Sequence, residues 1–486
     1  MTTRPKPQPG TAPQHTPSWR EKNISVFKRK DHAPSPDDQE AAHEKHEADV
    51  EEARRRGGKR TKYVQEDGES GRTWIHPWKF IRICGRSSSK ISMLTNILWP
   101  FTIAAMVLHF GCDMQRETIK LWVFITAYIG MVPCANLVGF AGQELARKLP
   151  TVLGVVLETT FGSIVEIVLF MVLIKQPGEQ GIHIIQAAIL GSILANLLLC
   201  LGLCFFIGGI FHPNQTFHEA VSEVGSNLML VAGMGLVIPS IFYNSLASNY
   251  QPEFLETRAL HISRITAIVL LIAFVVYLWF QIRSHHGLYE DILKADEHND
   301  HDRHKDLAKD KLTFTEAAIA VVIGVTFVSF MAVFLVQQIE YIVERGVSDS
   351  FMGLILVPVI EKASEHLTAM DEAYDNQMNF ALSHVLGASI QTALLNTPLV
   401  VLVGWGLDKN MGLNFEMFDA IVLILAIIVI GNFLRDEKSD YLEGALSVFV
   451  YVLIAVAAWY YPAPPEGAVI SSGDASGGEH ARMMKW

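Results

Sequence analysis

Long apolar runs separated by short polar breaks occupy most of the chain, from about residue 91 to residue 462. A helix of about 20 apolar residues is long enough to cross the hydrocarbon of a bilayer. The pattern therefore predicts an all-α membrane protein with about eleven transmembrane helices. They are expected near 92–111, 119–142, 152–174, 184–210, 220–243, 260–283, 313–339, 351–371, 380–406, 415–434 and 442–461.

Two of these apolar stretches carry a glutamate near the middle. Glu166 lies in TTFGSIVEIVLFMVL, and Glu365 lies in VPVIEKASEHLTAM. An ionised side chain at the bilayer centre costs roughly 2.5 to 3.5 kcal/mol, so intramembrane carboxylates mark ion or proton pathways by default. Transport is the leading hypothesis for this chain.

The sequence after each glutamate repeats in outline. ILGSILANLLLCLG follows Glu166, and VLGASIQTALLNTPLVVLVGW follows Glu365. One first helix and two halves of five helices account for the predicted spans, and because five is odd the second half must insert upside down. Inverted repeats of this kind place the substrate near the midplane, between the two halves.

The polar segments complete the predicted domain organisation. Residues 1–90 contain few aliphatic residues and are expected to be a disordered tail. Basic residues such as Arg82, Arg86 and Lys90 precede the first span, which places the N-terminus in the cytoplasm. The remaining predicted segments are a first transmembrane half at 91–283, a cytosolic acidic and histidine-rich loop at 284–312, a second transmembrane half at 313–462, and a C-terminal tail at 463–486.

Composition excludes several other classes of protein. The formal net charge of −11 comes mainly from tails and loops, and the 5 cysteines have no disulfide or zinc spacing. No nucleophile triad, phosphate-binding loop or metal-hydrolase motif suggests an enzyme. We therefore expect neither a cofactor nor a nucleic-acid partner, but a bilayer, a transported cation and protons. The loop at 284–312 is either a solvated linker or a pH or cation sensor built on its five histidines.

Calcium requires six to eight hard oxygen ligands, and one carboxylate from each half would neutralise a divalent ion. The same carboxylates can hold protons instead, and mutual exclusion of cation and protons is the chemistry of an antiporter. Gly162 and Pro358 mark places where helical hydrogen bonding is expected to loosen. Polar side chains in the neighbouring spans line the path or pack the helices; these are Gln186, Ser192, Asn196, Ser389 and Gln391.

Several long segments resemble those of a known family. They are LGSILANLLLCLGLCFFIGG, HISRITAIVLLIAFVVYLWFQIRSHHGLY, FMGLILVPVI followed by SEHLTA, and NFLRDEKSDYLEGAL. Through them the chain resembles the CAX calcium/proton exchangers, of the cation/calcium exchanger superfamily, from Ile91 to Pro462. The resemblance implies that Glu166 and Glu365, the latter followed by His366, form the cation site. It also implies export of cytosolic Ca²⁺ into a vacuole or another acidic compartment in exchange for protons.

The chain departs from the family's two signature segments, GNATE and GNAAEH. Ser163 stands in place of the first asparagine, and Glu361 and Lys362 replace the second Gly-Asn pair. Both charged residues lie within one turn of Glu365, near one face of its helix. Lys362 can pair with Glu365 and compete with the cation, pair with Glu361 and leave the site intact, or reach water outside the membrane core. The alternative functions are therefore exchange of Mn²⁺, Na⁺ or K⁺, or a regulatory role without transport.

Overall fold

The computed structural model describes residues 74–149, 151–212, 215–297 and 310–461. These residues are almost entirely helical. The helices are α1 Pro77–Arg86, α2 Lys90–Leu94, α3 Trp99–Gly111, α4 Glu117–Ala146, α5 Thr151–Leu173, α6 Gln180–Leu194, α7 Leu201–Phe211, α8 Glu219–Leu246, α9 Pro252–Trp279, α10 His286–Glu297, α11 Phe314–Val336, α12 Ile339–Val343, α13 Asp349–Phe351, α14 Val357–Tyr374, α15 Met378–Gln391, α16 Thr397–Gly406, α17 Met417–Phe433 and α18 Tyr441–Tyr460. Two short strands, β1 Gln215–Thr216 and β2 Lys438–Ser439, pair antiparallel.

Helices cross the membrane where the apolar runs predicted them. Nine helices of the described part are long and apolar enough to span a bilayer: Ile91–Gly111, Glu117–Ala146, Gln180–Phe211, Glu219–Leu246, Pro252–Ser284, Phe314–Val336, Met378–Gly406, Met417–Asp436 and Tyr441–Tyr460. The two helices that carry Glu166 and Glu365 occupy the remaining predicted positions but do not meet these criteria of length and composition. The all-α membrane fold is confirmed, whereas the count of eleven spans stays a prediction.

Short π-helical segments interrupt several of the long helices. Met352–Leu356 lies directly before α14 and Thr392–Asn396 directly before α16. Each is followed within two residues by a proline, Pro358 or Pro398, which removes a backbone donor and widens the preceding turn. The hydroxyl of Tyr128 donates to the Leu356 carbonyl of the first segment at 2.8 Å, so a side chain from another helix bonds to its backbone.

The prediction of a disordered tail over residues 1–90 is wrong for residues 77–86. Residues Pro77–Arg86 form helix α1, which buries Ile83 against the ends of α4 and α11. Next to it, Ser87 donates a hydrogen bond to the Asn136 side chain at 3.1 Å. Aromatic and aliphatic residues in WIHPWKFIRIC give this segment an apolar face that the overall polar composition conceals. Residues 1–73 and 462–486 lie outside the described residues.

The predicted cytosolic loop contains a packed helix rather than only a solvated linker. Within α10, Ile292 is buried and the Tyr289 hydroxyl donates to the Ala220 carbonyl at 3.1 Å. The Asp296 carboxylate accepts hydrogen bonds from the backbone N–H of Asn379 at 2.8 Å and of Phe380 at 3.3 Å. Asp296 therefore caps the first turn of α15 from another element. The loop's residues 298–309, with three of its histidines, lie outside the described residues.

Candidate functional site

The Glu166 carboxylate is buried in the interior, with a relative exposure of 1%. Helix α5 positions it against the π-helical segment Thr392–Asn396 of the second half. Its Oε2 accepts hydrogen bonds from the Thr392 hydroxyl at 2.9 Å and from the Asn396 amide at 2.8 Å. Two neutral donors therefore orient one oxygen, while Oε1 has no hydrogen-bond partner among the described residues.

Lys362 lies between the two predicted site glutamates. Its Nζ is 3.3 Å from Glu166 Oε2 and 3.4 Å from Glu365 Oε2, and the side chain is 3% exposed. The ammonium group therefore occupies the space between a carboxylate from each half. The sequence allows three arrangements of Lys362, and the structure has the one in which it pairs with Glu365. Glu166 is a further partner, and the ammonium does not reach water.

Glu361 adds a third carboxylate to the same cluster. It is 2% exposed, neither of its oxygens makes a hydrogen bond of regular geometry among the described residues, and the Ser192 hydroxyl is a nearby donor. Glu361 and Glu365 are four residues apart in α14 and share one face of that helix. A buried carboxylate without hydrogen bonds is costly, because desolvation is not compensated. A role in binding a cation would explain a buried carboxylate in this environment.

Polar contacts between the halves surround the cluster. His366 Nε2 lies 3.0 Å from Asn196 Oδ1, and the Ser163 hydroxyl donates to Gln391 Oε1 at 3.0 Å. The hydroxyl of Ser192 lies 3.4 Å from that of Thr392. These contacts join α5, α6 and the π-helical segment Ala195–Cys200 to α14, α15 and the segment Thr392–Asn396, so most of the predicted supporting residues lie at one junction.

Two predicted supporting residues, Ser389 and Gln186, have other surroundings, and Gly162 lies beside Gln391 without the expected irregularity. The Ser389 hydroxyl donates to the Val385 carbonyl of its own helix at 2.9 Å. Gln186 donates to the Gly412 carbonyl at 2.8 Å and lines a separate small cavity. Gly162 lies in the regular part of α5, and its nearest neighbour outside that helix is the Gln391 side chain. The helical irregularity expected at Gly162 is therefore absent, whereas the one expected near Pro358 is present.

Sequence reasoning missed Thr392 and Asn396, which hold Glu166. Both lie in TALLN, an otherwise apolar stretch, at positions four residues apart. That spacing places both polar side chains on the same helix face, which is the signal that could have identified them.

A cavity of about 380 Å³ leads to the cluster from one side of the membrane. Glu365, His366, Ser364 and Gln391 line its deep end, while Ser88, Gln143, Gln281 and Leu293 line its mouth. Near this mouth the end of α4 contacts the segment before α11, where the Leu312 backbone N–H donates to Glu144 at 3.0 Å. We call this the inner cavity. Glu365 is 36% exposed and faces it, whereas Glu166 and Glu361 lie deeper.

The opposite side of the cluster is closed. There a cavity of only about 20 Å³ is lined by acidic and polar side chains. Gln180 donates to Asp349 at 3.0 Å beside it, and Asp419 is buried with one oxygen unpaired among the described residues. The inner cavity therefore gives the cluster a much wider opening than the small cavity on the other side does.

The carboxylates are not arranged as a formed metal site. Within the described residues no group of three His, Cys, Asp or Glu side chains is placed to hold a metal ion. The Lys362 ammonium supplies the positive charge between Glu166 and Glu365 instead. The cluster can therefore exchange one cation for another only if this ammonium moves.

Comparison with known proteins identifies the class of protein. A family model described as sodium/calcium exchanger protein matches residues 119–283 and 316–460. The chain is 32% identical to the vacuolar calcium ion transporter of Schizosaccharomyces pombe, over 70% of this chain and 79% of that protein. It is 29% identical to vacuolar cation/proton exchanger 2 of Arabidopsis thaliana, over 77% of this chain and 82% of that protein.

Solved structures share the fold. The structure of native YfkE superposes with a TM-score of 0.61 at 23% identity, covering 76% of this chain and 100% of that chain. The H⁺/Ca²⁺ exchanger CAX superposes with a TM-score of 0.52 at 12% identity, covering 77% and 89%. The helical fold and the buried carboxylates therefore define a membrane cation exchanger. The chain belongs to the sodium/calcium exchanger protein family, and the predictions of a transporter and not an enzyme, and of kinship with the calcium/proton exchangers, are confirmed.

Proposed function

We propose that this chain is a proton-coupled antiporter that moves cytosolic Ca²⁺ into a vacuole or another acidic compartment. The observation that carries the proposal is the buried carboxylate cluster at the closed end of the inner cavity, with contributions from both halves of the chain. Vacuolar calcium and cation/proton exchangers among the relatives support Ca²⁺ and protons as the exchanged ions.

In this proposal Glu166 and Glu365 bind the transported cation. A carboxylate that binds a proton is no longer a ligand for Ca²⁺, so protons and cation use the same groups in turn. The donors Thr392 and Asn396 keep Glu166 oriented toward the junction of the two halves. Exchange then requires that the Lys362 ammonium move and that the cluster face first one side of the membrane and then the other.

The proposed orientation places the N-terminus and α10 in the cytoplasm. Basic residues before the first span support it through the positive-inside rule. The inner cavity then opens to the cytosol, and the structure has the inward-facing arrangement that admits cytosolic Ca²⁺. Helix α10 covers part of the cavity mouth through Leu293, so the loop that contains it is suited to sensing as well as linking.

The test is proton-driven uptake of radioactive Ca²⁺ into liposomes that contain the purified full-length protein. Glu166→Gln and Glu365→Gln should each reduce uptake to the level of empty liposomes, because each removes a charge that the divalent ion requires. Glu340→Gln, at an exposed position outside the cluster, is the matched control and should transport normally. Unchanged uptake in both cluster variants would refute the proposal.

Lys362 favours a second candidate, a relative of the exchangers that does not transport. Its ammonium is held by two carboxylates and blocks the position of the cation in this conformation. Such a protein would act as a regulator or scaffold. Uptake of Ca²⁺, Mn²⁺, Na⁺ or K⁺ by the purified wild-type protein would exclude it, and the preferred ion would settle the choice among substrates.

A further inference from the structure

The charges of the cluster do not match those of a site with two carboxylates alone. Glu166, Glu361 and Glu365 carry three negative charges when ionised, and Lys362 carries one positive charge. The net charge of the cluster is therefore that of two carboxylates, which suits one divalent cation. Glu361 and Lys362, which replace the Gly-Asn pair of the family signature, are adjacent in sequence, and their charges cancel.

Several oxygens of the cluster are not among those that the ammonium contacts. Lys362 contacts Oε2 of both Glu166 and Glu365. Glu166 Oε1, both oxygens of Glu361 and the Asn396 side-chain oxygen are buried and have no hydrogen-bond partner among the described residues. Carboxylate and amide oxygens are the ligands that calcium prefers. These buried oxygens make no hydrogen bond of regular geometry within the described residues, so a cation is the partner that their chemistry fits.

We propose that the Lys362 ammonium is a resident cation of the exchange site, that a transported divalent cation displaces it, and that Glu361 is the third carboxylate that then binds this cation. The inference rests on the proposed function and deepens it, because it assigns the charge of the substrate and two further residues of the site.

The displaced ammonium has a place to go. Glu365 lines the inner cavity, one helical turn from Glu361, and is partly exposed there. Lysine has a long flexible side chain, so its ammonium group can move past Glu365 to the inner cavity while its methylene groups stay buried. The ammonium then lies on the cavity side of Glu365, and the three carboxylates together with the ammonium keep a net charge of minus two for the divalent ion. Lys362 in this way sets both the affinity and the charge selectivity of the site.

Equilibrium binding of radioactive Ca²⁺ to the purified full-length protein in nanodiscs tests the inference without requiring transport. Lys362→Met should increase the apparent affinity at least about tenfold, because the competing ammonium is gone. Lys362→Arg keeps a positive charge and should not increase it. Lys438→Met, which removes an exposed lysine elsewhere, is the matched control and should bind as the wild type does. Elution volume and thermal unfolding with and without Ca²⁺ check folding.

A double-mutant cycle separates a ligand from a mere counter-charge. If Glu361 binds the cation, Glu361→Gln should weaken binding about tenfold in the Lys362→Met background as well as in the wild type. If Glu361 only balances Lys362, the second Glu361→Gln effect disappears and its assignment as a ligand is wrong. Glu340→Gln in the same background is the control.

The outcomes also separate this inference from the proposed function. Exchange by the wild type with unchanged binding in Lys362→Met overturns the inference alone. Binding by Lys362→Met but no binding or exchange by the wild type keeps the lysine as the resident cation and overturns the proposed function. Absence of binding in both proteins overturns both.

Discussion

Individual hydrogen bonds fix the orientation of Glu166 in the proposed cation site. Thr392 and Asn396 donate to the same oxygen, which leaves the other oxygen free. Hydrogen bonds to a charged group contribute about 1.5 to 3 kcal/mol each. The donors therefore hold the ionised carboxylate in one orientation within an environment that otherwise disfavours charge.

Replacing Thr392 with valine removes one donor and keeps the shape of the side chain. We expect Thr392→Val to weaken Ca²⁺ binding about tenfold, since a lost hydrogen bond of at least about 1.4 kcal/mol corresponds to that factor. Ser389→Ala is the matched control, because this buried hydroxyl bonds only within its own helix. Equal binding by both variants and the wild type, measured with radioactive Ca²⁺, would show that Thr392 does not support the site.

The sequence predicted the positions of the site carboxylates but not their partners. A buried glutamate in an apolar run is conspicuous, so Glu166 and Glu365 were found directly. The partner of Lys362 was not determined, because its flexible side chain lies within reach of Glu361 and of Glu365 at helical spacing. Only the packing of α5 against α14 adds Glu166 as a third possibility and explains why the lysine stays buried.

At the scale of elements, the two halves of the chain meet through glycines. A Cβ on Gly191 of α6 would lie 2.2 Å from the Leu354 carbonyl oxygen. A Cβ on Gly353 of the opposing π-helical segment would lie 2.6 Å from the Ala187 side chain. Small residues let the two backbones approach closely at this crossing, as is common between membrane helices.

Substitution of these glycines should therefore depend on position. Gly191→Ala should lower the thermal unfolding temperature and reduce transport, because rigid backbone cannot move away from the added methyl group. Gly387→Ala is the matched control from the second half, where a Cβ would meet no atom within 4 Å. Thermal unfolding in detergent and uptake into liposomes measure both effects. If Gly191→Ala is as stable and active as Gly387→Ala, close approach at this crossing is not required.

Most element positions followed from hydropathy, and the exceptions have physical causes. Hydropathy did not indicate helix α1, because basic residues alternate with its apolar residues and lower the average of the segment. The π-helical segments were not predicted in detail, because a proline only requires that some hydrogen bond be lost. Which helical hydrogen bonds are lost depends on tertiary packing. In the first of these segments, for example, the Leu356 carbonyl accepts a hydrogen bond from Tyr128 of another helix.

At the scale of the whole molecule, access to the cluster differs between the two sides of the membrane. The inner cavity of about 380 Å³ is lined by Ser88, which follows α1, and by Leu293 of α10, whereas the cavity on the other side has about 20 Å³. The direction of transport therefore depends on which compartment faces α1. The sequence predicts that this compartment is the cytosol, through basic residues such as Arg82 and Arg86.

Cysteine labelling can test this orientation. Cys112 follows α3 and is exposed, whereas Cys134, Cys200 and Cys204 are buried. Cys84 is half-buried, and burial raises the pKa of its thiol to about 12, so little reactive thiolate is present near neutral pH. A membrane-impermeant maleimide should thus react with Cys112 and with no other cysteine of the described part.

The expected result in intact vacuolar vesicles, which expose their cytosolic face, is no labelling until a detergent opens the lumen. Cys112 lies at the opposite end of the first span from α1 and should face the lumen. In a Cys112→Ser background, Ser284→Cys places an exposed thiol beside α10 and should be labelled in intact vesicles. The reverse pattern, with Cys112 labelled at once and Ser284→Cys protected, would invert the orientation. The inner cavity would then open to the lumen, and the structure would represent the state that releases Ca²⁺ and collects protons.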